Sequence, residues 1–155
     1  MRPILSSIAI AVVVAVAAPA ALAQDAKQAI GARKGYMQLS SFYLGQLGAM
    51  AKGEVDYDAE RATVIAASLQ NISQVDQSAL WPQGSDSAAM AGETRALPAI
   101  WETWPAIAEV GAAYGEAVAT LASTAGDGLE ALQAGVGGVG KECGACHDKY
   151  RAPRG

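Results

Sequence analysis

The chain has 155 residues, 11 Lys and Arg against 15 Asp and Glu, and a formal net charge of −4. An acidic surface without a Lys/Arg block argues against nucleic acid and against anionic membrane as partners. Two cysteines allow at most one disulfide, and a single short-loop bridge would stabilise a domain of this size little.

The N-terminus reads as a secretory leader: Arg2, an apolar run from Ile4 to Ala18, Pro19, and the small-residue ending Ala21-Leu22-Ala23. Cleavage is expected after Ala23. The alternative is an uncleaved membrane anchor, since the run is nearly long enough to span a bilayer; Pro19 and the Ala-x-Ala ending favour cleavage. No other segment is apolar enough to cross a membrane, so the mature chain is expected to be exported to the periplasm without membrane insertion. Removing the leader leaves 155 − 23 = 132 residues and, with Arg2 gone, a net charge of 10 − 15 = −5. That length suits one domain, residues 24–155, around one core.

Four stretches carry apolar residues at the period of a helix, and none alternates as a strand would. The first places Ile30, Met37, Ser40, Leu44, Leu47 and Ala51 on one stripe and ends near Lys52-Gly53, where Gly can close a helix. The second follows Asp58, a candidate N-cap, and turns Ala62, Ile65, Leu69, Ile72 and Val75 inward. A long connection then runs from Asp76 to Thr103. Its Pro, Gly and Ser residues mark turns, a helical turn is expected from Pro98, and Trp81, Ile100, Trp101 and Trp104 are candidate anchors onto the core. The third stretch shows Ile107, Val110, Tyr114, Val118 and Leu121, with Pro105 in its first turn and Thr103 before it. The fourth shows Leu129, Leu132, Val136, Val139, Cys143, Cys146, His147 and Tyr150. The other connections are short, so sequential helices should be antiparallel neighbours. The expected fold is all-α, an up-down-up-down four-helix bundle.

Both cysteines and the single histidine fall in KECGACHDKYR, residues 141–151. Cys143, Cys146 and His147 stand at i, i+3 and i+4, so on a helix they share one face. C-x-x-C-H is the pattern of c-type haem attachment: each thiol forms a thioether with one vinyl group, and the imidazole ligates iron from the proximal side. Three other readings compete. A structural zinc site needs four protein ligands, whereas the cluster offers three. A thioredoxin-like redox pair expects neighbouring strands. A plain disulfide leaves His147, and the shared face, unexplained.

CGACHDKYR, together with ARKGYM in the first helix, KG before YDA, the LWPQGSD loop and the PAIW segment, resembles the class II cytochromes c, the cytochrome c′ family. The resemblance spans residues 26 to 152 and implies a bundle wrapped around one covalently attached haem c. It places Arg151 near the proximal side, one turn beyond His147, and Met37 over the distal face. His147 is the only histidine, so a bis-histidine haem cannot form within one chain. Met37 admits both a five-coordinate iron, which is the expected state, and a six-coordinate low-spin iron with thioether ligation; packing as core filler is the remaining alternative. Arg33, four residues earlier on the same face, is a candidate partner for a haem propionate, against a surface ion pair. Gly135, Gly137, Gly138 and Gly140 in the fourth helix suggest close approach of the haem or a neighbouring helix. Gly45 and Gly48 could admit a second subunit, and homodimers are common in the family.

No triad or carboxylate dyad is visible, so no enzyme activity is expected. The expected function is a periplasmic electron carrier, a binder of diatomic gases such as NO or CO, or both. The purely electron-carrying alternative is a low-spin, Met-ligated class II cytochrome.

Overall fold

A computed structural model describes residues 17–153, with side chains from residue 25 onward. The expected leader therefore lies outside the described residues except for 17–23, which are helical at the head of the first helix. The elements are α1 (Ala17–Ala51), α2 (Ala59–Ser73), a single 3-10 turn (Ser78–Leu80), α3 (Ala99–Glu102), α4 (Trp104–Thr124) and α5 (Leu129–Tyr150). Among the described residues there is no strand beyond an isolated antiparallel bridge, Ala96 to Arg151. No described helix is long and apolar enough to cross a membrane.

Helix α1 packs on α2 and α5, while α4 packs on α2 and α5, which closes a ring of four long helices. The core follows the stripes read from the sequence except at Met37, Leu129 and Val75, which are exposed, Val75 because α2 ends at Ser73 before reaching it. Leu47, Leu69, Val118, Leu121, Leu132 and Val139 are fully buried, and Met50, Ala62, Ile65 and Ala66 join them. Cutting any of these leucines to Ala would cost about 2–5 kcal/mol through lost burial and the void left behind.

Local chemistry sets the helix ends. Gly53 takes φ +73°; its N–H donates to Met50 O at 3.0 Å, and the Glu54 N–H reaches Ala49 O at 2.9 Å. That is the paired bonding of a left-handed glycine stop. Asp58 caps α2, its Oδ1 accepting from the Arg61 N–H at 2.9 Å. Tyr57 ties the α4–α5 turn to the start of α2, donating to Ala125 O at 2.9 Å and accepting from the Gly128 N–H at 3.0 Å.

Two expectations around the long connection change as well. Thr103 precedes α4 but makes no side-chain cap. Its hydroxyl donates to Ala99 O at 2.7 Å and bonds with Tyr150 Oη at 3.1 Å, so it fastens α3 to the end of α5. Of the four anchors, Ile100 is buried and Trp81 and Trp101 stack at 6.1 Å, with the Trp101 indole N–H donating to Trp81 O at 3.0 Å. Trp104 is instead 46 % exposed, because its position at the head of α4 turns it out of the stripe.

Candidate functional site

Cys143, Cys146 and His147 occupy the last turns of α5, all of them partly buried. Cys143 packs against the core cluster. Both cysteines are free thiols in this structure. Among the described residues no group of three or more His, Cys, Asp and Glu could hold a metal ion by itself.

Burial pushes the Cys143 thiol up, with Glu142 adding to it; burial and then Cys143 do the same for Cys146, against a lowering by Arg151. The His147 imidazole is held below its usual range, first by burial and then by the nearby Arg151 and Arg95 cations. These shifts keep both sulfurs protonated and the imidazole neutral at pH 7. Thiols ready to add to vinyl groups beside a neutral imidazole nitrogen form a donor set that fits haem c. One further observation agrees. Tyr36 Oη is a buried polar atom with no hydrogen-bond partner in the protein, beside Tyr114, which in turn neighbours Cys143. A buried hydroxyl left over by the protein has room for a partner from outside it, a water or a bound group.

Arg33 departs from one of the two expectations for it. The side chain is 4 % exposed, so it is no surface ion pair. Nη1 donates to Leu80 O at 3.1 Å and Ser85 Oγ at 3.2 Å, and Nη2 donates to Ser85 O at 2.9 Å and Thr94 Oγ1 at 3.1 Å. The guanidinium also lies 4.4 Å from the Trp81 ring centroid. Its four terminal N–H donors are therefore committed to the α2–α3 connection, which leaves only Nε–H for a carboxylate. Sequence reasoning missed Ser85 and Thr94 as partners because nothing local links positions 33, 85 and 94.

Met37 stands one turn further along α1 and is 38 % exposed. That exposure rules out core filler. Arg151 is exposed at the end of α5, close enough to His147 and Cys146 to act on both. It borders a depression of about 390 Å³ lined by Arg95, Leu97, His147, Asp148, Arg151, Ala152 and Pro153. Arg95 also escaped the sequence reading; its nearness to Arg151 comes from the backbone bridge between the two segments.

Among the glycines, Gly135 alone of its group meets a neighbouring helix. A Cβ there would stand 2.7 Å from Leu121 Cδ1 and 3.2 Å from Leu121 Cα, whereas Gly137, Gly138 and Gly140 meet nothing within 4 Å.

A four-helix ring with a C-x-x-C-H face on its last helix defines a c-type haem protein of the bundle class. The family model described as Cytochrome C' matches residues 28–151, and the chain belongs to that family. It is 42 % identical over 135 residues to a cytochrome c' of Cereibacter sphaeroides, spanning 87 % of this chain and 90 % of the relative. A cytochrome c-554 of the same organism is 41 % identical over 154 residues, spanning 97 % and 98 %. The solved cytochrome c' from Rhodobacter Spheriodes superposes with a TM-score of 0.81 at 41 % identity, covering 83 % of this chain and 98 % of that one. As a member of this family the protein carries covalently attached haem c.

Proposed function

We propose that the protein is a periplasmic electron carrier whose haem c also offers a site for NO or CO, held by Cys143, Cys146 and His147. The observation that carries this reading is the face of α5 itself: two free thiols and the chain's single imidazole, half-buried together within about one turn. Each thiol would hold the haem by adding its S–H across one vinyl group, sulfur bonding one carbon and the proton going to the other, so attachment would need no oxidant. His147 would hold the iron through a neutral nitrogen. Bound haem supplies a one-electron couple and an axial position for a small ligand.

The remaining residues orient and shield. Met37 would cover the second face of the haem as a shield rather than as an iron ligand. Arg33 fixes the connection beside it and has Nε–H to offer a propionate. Arg151 places positive charge next to His147. None of these groups is a nucleophile or general base aimed at a substrate, so the protein acts as a carrier and binder rather than a catalyst. The gas-binding part draws on a cytochrome c prime from Alcaligenes xylosoxidans, 26 % identical with TM-scores of 0.73 and 0.72, whose variants are solved with bound NO and with carbon monoxide. Residues 1–23 act as the export leader, and residues 24–155 form the single haem domain.

The test is Cys143→Ala with Cys146→Ala, expressed with haem-attachment machinery. Acid-acetone extraction should strip all haem from the double variant and none from the parent. Haem retained by the variant would overturn the assignment.

A further inference from the structure

The mature chain is acidic, yet the end of α5 carries the opposite charge. Arg95 and Arg151 line a depression there with Asp148 as its carboxylate, and the exposed Lys149 adjoins that lining along the chain. The ion pairs among the described residues are Lys27–Glu93, Lys52–Glu54 and Lys141–Glu142, so none of the three cations is neutralised by one. Glu93, close to Arg95 in sequence, is already taken by Lys27 at 3.2 Å.

The patch is also built rather than loose. The Leu97 N–H donates to Tyr150 O at 2.9 Å and the Ala152 N–H to Arg95 O at 2.8 Å, locking the two segments side by side. The Arg95 guanidinium is itself steadied by donating to Ala152 O at 3.2 Å, and Lys149 lies 5.1 Å from the Tyr150 ring centroid. The depression between the two arginines is about 390 Å³, with Leu97, Ala152 and Pro153 as apolar lining and His147 on its wall. That volume takes one or two carboxylate side chains and excludes a folded element.

We propose that this end of α5 is the docking face for an acidic surface of a redox-partner protein, whose carboxylates seat between Arg95 and Arg151 beside His147. The proposal rests on the electron-carrier reading. A local cationic face on an acidic protein orients the approach, because long-range repulsion disfavours every other side while the patch attracts at short range. Docking there puts the partner against His147, the residue that would hold the iron.

The test uses the haem-loaded protein with two outer-sphere oxidants, the trianion ferricyanide and the cation tris(phenanthroline)cobalt(III), followed by stopped-flow over a range of ionic strength. Poly-aspartate stands in for the partner's acidic surface. Ferricyanide oxidation of the reduced protein should slow as salt rises, opposite to the trend set by the net charge. At about 10 mM salt Arg95→Gln and Lys149→Gln should each slow it about eightfold, falling to about threefold at about 0.1 M, the screened effect of one charge facing a trianion in water at about 8 Å. Poly-aspartate should inhibit the parent and lose its effect on the double variant. Oxidation by the cobalt complex should not slow in either variant. A ferricyanide rate that rises with salt, or that ignores both substitutions, would overturn the docking face. So would a shift of the midpoint potential in Arg95→Gln, which would assign that arginine to a haem carboxylate instead. Potentiometry on the same samples separates the two readings: without a reversible one-electron couple the electron-carrier reading fails, whereas a normal couple with salt-insensitive rates removes only the docking face.

Discussion

Replacing Arg33 with Ala removes four hydrogen bonds of 2.9–3.2 Å and a cation–ring contact at 4.4 Å in one step. Hydrogen bonds to a charged group contribute about 1.5 kcal/mol each at the low end, so the set is worth about 6 kcal/mol gross. Burial of the guanidinium costs several kcal/mol in return, and burial lowers its pKa in the direction that cost requires. Water entering the vacated space would satisfy Leu80 O and part of Ser85 O. A net loss of about 3 kcal/mol follows, which lowers Tm by about 10 °C in a domain of this size. Far-UV circular dichroism of the haem-loaded protein measures the first effect. Limited thermolysin digestion measures release of the connection between α2 and α3, with the earliest cut expected between residues 78 and 98. Arg33→Lys keeps the charge but cannot span Ser85 and Thr94 at once, and it should recover less than half of the loss. A drop of under about 2 °C with an unchanged digestion pattern would refute the view that Arg33 holds the connection.

Gly135→Ala should destabilise by about 1–2 kcal/mol, because the clash with Leu121 Cα is with backbone and outweighs the gain of about 1 kcal/mol from replacing a helical glycine. Gly137→Ala, which meets nothing within 4 Å, should raise Tm in the same scan; a rise in both would remove the close approach as the reason for Gly135. Burial, reinforced by Tyr114, pushes the Tyr36 pKa from 10.0 up to about 12. A raised folded-state pKa stabilises fully below the unfolded value and loses that effect as pH climbs, so urea midpoints should fall between about pH 10 and pH 12. Tyr36→Phe should flatten that fall and cost little at pH 7, since its hydroxyl has no partner to lose; an equally steep fall in the variant would contradict this. Met37→Ala should leave the ferric optical spectrum unchanged, and a change of spin state would establish sulfur ligation instead.

Much of this fold was legible because helix stripes depend only on spacing along one element. Leu69, Leu121, Leu132 and Val139 each sit where period 3.6 placed them, and Asp58 and Gly53 mark helix ends through chemistry confined to three or four residues. The haem motif was legible for the same reason, since Cys143, Cys146 and His147 need only one turn to meet. What stayed hidden was long-range. Arg33 is held by Ser85 and Thr94 across more than fifty residues, with no periodic signature. Arg95 becomes a neighbour of Arg151 only through the backbone pairing at Ala96. The Trp104 error has another cause: the connection into α4 sets the phase of its first turn, and counting apolar residues cannot supply that phase.

The pairing of residues 95–97 with 150–152 has a bearing on synthesis. Both α5 and its terminal bridge emerge after every other described element, so a growing polypeptide has three long helices with an open seam and an unpinned connector. The thiols on α5 are made last, on the helix that closes the ring.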